Sequence, residues 1–203
     1  MHSALPNSPK LVLASASPRR QELIAILGLP VQIHPSRVEE DTPAYWTPSQ
    51  IVEGLAERKA LAVKNELTDS LDLSSIVVGS DTIVVLNDKV MGKPRDVQEA
   101  EQMLQELSGE VHEVYTGISC IRVSDAKTVT THRVTKVRMR KLTPNQISRY
   151  VATGEPMDKA GSYGIQEIGS LFVESIEGCY FNVVGLPVSL LAVQLEQFDI
   201  MLP

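Results

Sequence analysis

The stretch KLVLASASPRRQELIAILG, residues 10–28, predicts a buried strand that runs directly into a capped helix. The apolar run at 10–14 is typical of a short internal strand. Ser17 followed by Pro18 is a common helix start, because Ser caps the free N–H groups and Pro suits the first helical position. Gly28 is expected to end this helix. The chain therefore opens with a strand–helix unit.

Two arginines, Arg19 and Arg20, lie in the first turn of this predicted helix. The helix dipole is already positive there, so two further positive charges are slightly unfavourable. A bound anion would reverse that sign, because backbone N–H groups and guanidinium groups would converge on it. Two solvated arginines are the alternative interpretation.

The rest of the chain mixes strands and helices without a regular repeat. Strands are predicted at 31–36, 76–78, 83–86, 111–123, 128–140, 171–175 and 180–184. Helices are predicted from the capping box at 47–50 to about 64, from 96 to 107, from the capping box at 143–146 to 154, and over 187–198. In the helix after residue 47, Ile51, Leu55 and Leu61 are expected to face inward. We therefore predict an α/β fold with a mixed, twisted sheet flanked by helices, bent into two lobes around a cleft.

The bulk composition is that of an ordinary globular protein. The 203 residues suffice for one large domain or two small lobes, and 43% are hydrophobic. A net charge of -6 argues against non-specific binding to a nucleic-acid polymer or an anionic membrane. A phosphate ligand would therefore be held by a few local cations, with a metal ion.

The cysteines and the termini indicate a cytoplasmic protein. Cys120 and Cys179 are far apart and form no CxxC pattern, so we expect reduced thiols. Residues 1–9 lack a basic region followed by an apolar run, so no signal peptide is expected. No apolar segment approaches the length of a membrane span.

Asp81 is the first candidate for chemistry. It follows the apolar run at 76–78 and the small residues Gly79 and Ser80, so it should be partly desolvated. Such a carboxylate needs a cation, a metal or hydrogen-bond donors nearby. The alternative is a turn-forming Asp between the strands at 76–78 and 83–86, which could also be one continuous strand.

Further charged residues could join such a site. The run Glu39-Glu40-Asp41 is either solvated or jointly neutralised by a divalent ion, for which oxygen ligands suit Mg²⁺ or Mn²⁺. Lys59 lies on a predicted helix, and Lys93 lies in a Gly-Lys-Pro loop. In the segment 158–166, Gln166 offers an amide that could bind a base edge.

Taken together, four motifs resemble the Maf family of nucleoside triphosphate pyrophosphatases. They are SASPRR at 15–20, GSDT at 79–82, GKP at 92–94 and DKAGSYGIQ at 158–166, and NVVGLP at 182–187 is also similar to the family's C-terminal signature. They occur in the family's order over nearly the whole chain. The resemblance implies a single Maf-like domain over 1–203, an elongated α/β fold with a central cleft, and a homodimer.

The resemblance also implies roles for individual residues. Asp81 would be the proton acceptor, and Arg19, Thr82 and Gln166 match the trio of the branch that cleaves dTTP and UTP. Polar positions that the family uses for phosphates and metal are matched by Ser15, Arg20, Glu40, Lys59 and Lys93. Glu167 departs from the pattern, since relatives often place glycine there.

The expected activity is metal-assisted hydrolysis of a nucleoside triphosphate between its α and β phosphates. Glu40 and Asp81 would hold Mg²⁺ or Mn²⁺, and Asp81 would act as base, as metal ligand, or as both. By resemblance, nucleotide-pool house-cleaning and septum formation are the processes concerned. A non-catalytic nucleotide-binding regulator of cell division and a nucleotidyl- or phosphotransferase remain as alternatives.

Overall fold

The computed structural model describes residues 9–67 and 70–202, so the predicted absence of a signal peptide lies largely outside the described residues. Its thirteen regular elements among those residues follow in chain order: β1 (Leu11–Leu13), α1 (Pro18–Ala25), β2 (Val31–Ile33), α2 (Pro48–Leu67), β3 (Ile76–Leu86), β4 (Lys89–Met91), α3 (Val97–Leu107), β5 (Val111–Arg122), β6 (Thr128–Met139), α4 (Pro144–Val151), β7 (Val173–Glu177), α5 (Tyr180–Val184) and α6 (Val188–Glu196). Short 3₁₀ segments lie at Glu155–Asp158, Ala160–Ser162 and Ile168–Phe172.

The strands form one mixed sheet in the order β2-β1-β3-β5-β6-β7, with β4 paired to β3. β1 pairs in parallel with both β2 and β3, and all three of its residues are fully buried. β4 pairs antiparallel with β3, and β7 pairs antiparallel with β6. The predicted α/β class and mixed sheet are confirmed.

The chain divides into two compact units. Unit 1 comprises Met1–Asp81, Thr116–Arg133 and Gly185–Pro203, and unit 2 comprises Thr82–Tyr115 and Val134–Val184. The predicted single domain over 1–203 stays a prediction, as do the elongated outline and the cleft.

In unit 1, helix α2 packs with its backbone unusually close to the sheet. A Cβ built on Gly79 of β3 would lie 2.0 Å from the carbonyl oxygen of Ala56, and one on Gly117 of β5 would lie 2.2 Å from that of Val52. Both contacts are far shorter than any real Cβ makes. Only glycine at these two strand positions allows α2 to lie where it does.

The start of α2 is also tied to β6 by a row of hydrogen bonds. Nε2 of His132 hydrogen-bonds Oγ of Ser49 at 3.1 Å, and Nδ1 of the same ring hydrogen-bonds Oε1 of Glu53 at 2.7 Å. The capping box is present, since the Thr47 N–H donates to Gln50 and the Gln50 N–H donates back to Thr47. Helix start and sheet are thereby held together by polar contacts.

The predicted helix starts are confirmed, whereas some ends and faces differ. Ser17, Asp96 and Thr143 each cap a helix with their side chains. The first helix ends at Ala25, before Gly28, which has a positive φ of 69°. Leu61 is 44% exposed, so its predicted inward orientation is wrong; it lies two residues from the buried Lys59 and therefore on nearly the opposite side of the helix.

Two predicted strands near the C-terminus need correction. Residues 180–184 form helix α5, and the strand predicted at 171–175 begins only at Val173, after a 3₁₀ segment. The run at 180–184 is apolar, and short apolar runs do not distinguish helix from strand. Within α5, the fully buried Asn182 amide donates to the Val114 carbonyl at 2.9 Å and to Thr135 Oγ1 at 3.1 Å.

Both cysteines are free thiols, as expected. Cys120 is buried on β5, whereas Cys179 is only half-buried. Burial raises the pKa of the Cys120 thiol well above its usual range, so this thiol stays protonated. Among the described residues, no helix combines the length and the apolar character that crossing a membrane requires.

Candidate active site

Asp81 lies inside β3, so the turn alternative is wrong. Residues 76–86 form one continuous strand, and Asp81 is only 6% exposed within it. The preceding Ser80 is fully buried, and its hydroxyl donates to the carbonyl oxygen of Gly185 at 3.2 Å. A buried carboxylate on a strand needs a compensating cation.

Lys59 of α2 is that cation. Its Nζ donates to Oδ1 of Asp81 at 2.6 Å and forms an ion pair with Oε1 of Glu40 at 2.5 Å. The Lys59 side chain is 10% exposed and that of Asp81 is 9% exposed, while that of Glu40 is 52% exposed. One buried ammonium group therefore joins two carboxylates, and the close approach of α2 to Gly79 lets it reach Asp81.

The acidic run at 39–41 is held by the neighbouring basic residue of α2 as well. Nη1 of Arg58 donates to the carbonyl oxygens of Glu39 and Asp41 at 2.8 and 2.9 Å, and to the Asp41 carboxylate at 3.0 Å. Arg58 and Lys59 thus pair with the loop, an arrangement that the sequence analysis did not include. The only sequence feature that pointed to these contacts was a pair of adjacent basic residues on a capped helix, and such residues are usually solvated.

Ser15 and Arg20 lie at the junction of β1 and α1. Nε of Arg20 donates to the Gly185 carbonyl oxygen at 2.8 Å, and Nη1 donates to Oγ of Ser15 at 3.4 Å. Burial lowers the pKa of Arg20 from its usual value, whereas the nearby charges of Asp81 and Glu40 act in the opposite direction. The guanidinium group is therefore within electrostatic range of both carboxylates.

The pairing of β1 with β3 explains why Ser15 and Asp81 lie near each other. β1 and β3 are parallel neighbours, so the residues that follow their paired portions emerge at the same edge of the sheet. Ser15 follows β1 closely, and Asp81 follows the paired portion of β3, which ends at Val78. Five predicted site residues are thus brought together in unit 1: Ser15, Arg20, Glu40, Lys59 and Asp81.

Arg19 adds a second positive charge. It is half-buried, and its charge contributes to lowering the pKa of Arg20. Two like charges at the start of α1, an eight-residue helix, have the arrangement that a bound anion would favour.

The remaining predicted residues belong to unit 2. Thr82 is half-buried and directly follows Asp81 on β3, whereas Lys93 and Gln166 are exposed. Glu167, the departure from the family pattern, has its carboxylate 4.0 Å from Nζ of the buried Lys159. Lys159 was not among the predicted site residues, since it had no sequence signal beyond its motif.

The carboxylates of Glu40 and Asp81 offer oxygen ligands of the kind that Mg²⁺ and Mn²⁺ prefer. Both have an oxygen within hydrogen-bonding distance of the same Lys59 nitrogen, so one cation already lies between them. Across residues 9–67 and 70–202, no cluster of three or more His, Cys, Asp or Glu residues could hold a metal. The donor set fits an ion that takes one or two protein carboxylates and completes its shell with phosphate and water.

Comparison with known proteins shows the family of this chain. A family model described as Maf-like protein matches residues 10–198. A dTTP/UTP pyrophosphatase of Desulforamulus reducens is 52% identical over 94% of this chain and 97% of its own length. A dTTP/UTP pyrophosphatase of Bacillus cereus is 50% identical over 96% of this chain and 92% of its own length. The solved structure of the Staphylococcus aureus Ham1 protein aligns with 93% of this chain and 98% of its own at a TM-score of 0.49 and 14% identity. The family match spans nearly the whole chain and contains all the motifs at 15–20, 79–82, 92–94 and 158–166, so the chain belongs to the Maf family.

Proposed function

We propose that this protein hydrolyses dTTP and UTP to the nucleoside monophosphate and pyrophosphate. The observation that carries the proposal is the buried pair of Asp81 and Lys59, with Glu40 on the same ammonium group and Arg20 within electrostatic range. The relatives with 52% and 50% sequence identity, which are named dTTP/UTP pyrophosphatases, support the choice of substrates.

The triphosphate is bound by cations that the acidic chain gathers locally. Arg19 and Arg20 at the start of α1 and Lys59 on α2 supply positive charge in unit 1. The positive end of the α1 dipole adds to this charge. By the resemblance, Ser15 and Lys93 also contact the phosphates.

In the reaction, a water oxygen attacks the α-phosphorus, and the anhydride bond to the β-phosphate breaks. Asp81 orients this water and accepts its proton, while Lys59 holds the carboxylate in place. The leaving pyrophosphate gains negative charge, which the guanidinium groups of Arg19 and Arg20 stabilise.

A divalent cation fits the two carboxylates, and Glu40 and Asp81 would hold it. When bound, Mg²⁺ or Mn²⁺ would neutralise phosphate charge and polarise a phosphoryl oxygen. Chelation should therefore remove activity, and titration with either ion should restore it.

The resemblance supports further proposals about the substrate and its setting. Thr82 and Gln166 read the pyrimidine base. The protein acts as a homodimer in the cytoplasm, where it removes unwanted nucleotides and is linked to septum formation.

The decisive experiment is product analysis with Asp81→Asn. Purified protein is supplied with dTTP, UTP, CTP, GTP and methylated GTP plus Mg²⁺ or Mn²⁺, and the products are separated by chromatography. Loss of the proton acceptor should lower dTTP turnover by about a hundredfold to ten-thousandfold, with folding intact by circular dichroism. Asp88→Asn is the matched control, because Asp88 is exposed and its positive φ of 64° suits asparagine.

Near-normal turnover by Asp81→Asn would refute the assignment. Orthophosphate in place of pyrophosphate would indicate a different phosphatase. Turnover only with an added acceptor would indicate a transferase, and nucleotide binding without turnover would favour the regulator.

A further inference from the structure

The segment Gly164–Gly169 in unit 2 is a loop whose two ends touch. The Gly164 N–H donates to the Tyr150 hydroxyl at 3.2 Å. A Cβ built on Gly169 would lie 2.6 Å from the Gly164 carbonyl oxygen and 2.7 Å from the Tyr150 hydroxyl oxygen. The exposed Gln166 lies between these two ends. The loop is therefore closed at its base and presents Gln166 outward.

One carboxylate closes this base. Oε1 of Glu155 accepts from the Gly169 N–H at 3.0 Å and from the Tyr150 hydroxyl at 2.8 Å. Oε2 of Glu155 accepts from the Ile168 N–H at 3.0 Å. Hydrogen bonds to an ionised acceptor are about twice as strong as those between neutral groups. Both carboxylate oxygens of Glu155 therefore bind the backbone at the end of the loop, at Ile168 and Gly169.

Tyr150 donates one hydrogen bond and accepts another in this network, and both directions are fixed. Burial, together with the hydrogen bond to Glu155, raises the pKa of Tyr150 well above its usual range. The phenol therefore stays protonated, donates to Glu155 and accepts from the Gly164 N–H. Its ring is fixed edge-to-face against Phe172, with centroids 4.9 Å apart.

Lys159 also contacts the base of the loop. Its Nζ donates to the Glu155 carbonyl oxygen at 2.7 Å and to Oδ1 of Asp158 at 2.8 Å. A Cβ on Gly164 would lie 2.7 Å from Cε of Lys159, so the loop rests on this side chain. Lys159 is 7% exposed, which makes it a fixed part of the loop base.

We propose that Glu155 is a positioning residue for base selection: it fixes the loop that carries Gln166, so that the amide meets the edge of a pyrimidine base in one orientation. This inference rests on the proposed function, in which Gln166 reads the base. An amide in one fixed orientation can reject a base whose donors and acceptors are reversed. A loop with several conformations holds the amide in the orientation that binds a pyrimidine only part of the time, so dTTP binds more weakly and that discrimination is lost.

The test is a double-mutant cycle on substrate selectivity, measured as kcat/KM for dTTP divided by kcat/KM for GTP. Glu155→Gln keeps the size of the side chain but replaces one acceptor oxygen with an NH₂ group. It should lower the ratio about tenfold, mainly through a higher KM for dTTP, and leave kcat/KM for GTP unchanged. Gln166→Ala should lower the ratio at least as much. The double variant should match Gln166→Ala alone, because Glu155 acts through Gln166.

Two further variants make the test decisive. Glu174→Gln is the matched control, since Glu174 is an exposed carboxylate on β7 of the same unit and should leave the ratio unchanged. Tyr150→Phe removes the hydroxyl that donates to Glu155 and should lower the ratio in the same direction by a smaller factor. It takes the place of Glu155→Gln if that variant does not fold.

The outcomes separate the two proposals. Additive effects in the cycle, or equal losses for dTTP and GTP, overturn the positioning role and leave the proposed function intact. A wild-type protein that releases pyrophosphate from none of the nucleotides overturns the proposed function, and the inference falls with it.

Discussion

Two buried lysines, Lys59 in unit 1 and Lys159 in unit 2, are used in opposite ways. Their side chains are 10% and 8% exposed. Lys59 joins the carboxylates of Glu40 and Asp81, which come from a loop and a strand well separated from it in sequence. Lys159 binds a carbonyl oxygen and a carboxylate within its own segment, at positions 155 and 158.

Long-range and local contacts of a buried lysine have different consequences. Contacts between distant segments bring charges together that chemistry can use, as at Asp81. Contacts within one segment fix the shape of a loop, as around Gln166. Substitutions in the two regions should therefore fail differently: the first should lose turnover, and the second should lose selectivity.

The largest difference is expected between Lys59→Met and Lys159→Met. Lys59→Met leaves Asp81 buried without its main partner, so dTTP turnover should fall by about a hundredfold or more, and the free energy of unfolding by about 3 kcal/mol. Lys159→Met leaves Asp158, whose side chain is 61% exposed, in water, so the free energy of unfolding should fall by only about 1 kcal/mol. Steady-state kinetics and urea unfolding measure both effects. Equal losses of turnover in the two variants would contradict the distinction.

Gly79→Ala should separate Lys59 from Asp81 without replacing a charged residue. The added Cβ would meet the Ala56 carbonyl oxygen at 2.0 Å and push α2, with Lys59, away from Asp81. We expect a loss of about 2 kcal/mol in the free energy of unfolding, together with reduced turnover. Gly92→Ala is the stability control, because a Cβ there meets nothing within 4 Å. Similar melting temperatures for the two variants would show that the close approach of α2 is not needed.

The last expected effect is a pH response of unit 2, which changes stability but not the charges around Asp81. His112 is 1% exposed, its Nδ1 has no partner among the described residues, and its Nε2 hydrogen-bonds the Tyr163 hydroxyl at 2.8 Å, directly before the Gln166 loop. Burial lowers the pKa of His112 from 6.5 to about 4. The unfolded chain therefore takes up the proton first, and stability is lost as the pH falls from 6.5 towards 4.

Between about pH 7.5 and about pH 5, this group should remove about 2 kcal/mol from the free energy of unfolding. His112→Gln, which does not titrate, should lack this part of the pH dependence, as measured by urea unfolding at both pH values. Identical pH slopes for wild type and variant would show that His112 is not the group responsible.

Much of the fold follows from local sequence signals. The caps at Ser17, Asp96 and Thr143 were predictable, because a side-chain oxygen satisfying backbone N–H groups is a contact within three residues. The long hairpin of β5 and β6 was predictable from its alternating and apolar pattern. The helix at 180–184 was not predictable, because a short apolar run does not by itself distinguish helix from strand.

In the candidate site too, some features were predictable from local sequence and others depend on packing. Local sequence was enough to identify the available residue types: two arginines at a helix start, a carboxylate after an apolar strand, and a glutamine in a glycine-rich loop. Three features became apparent only from the folded chain: Asp81 lies within a strand, Lys59 holds it together with Glu40, and Glu155 closes the Gln166 loop. The two kinds of feature differ in range, because capping and turn preferences act over a few residues, whereas packing between segments far apart in the chain selects the partner of a buried charge.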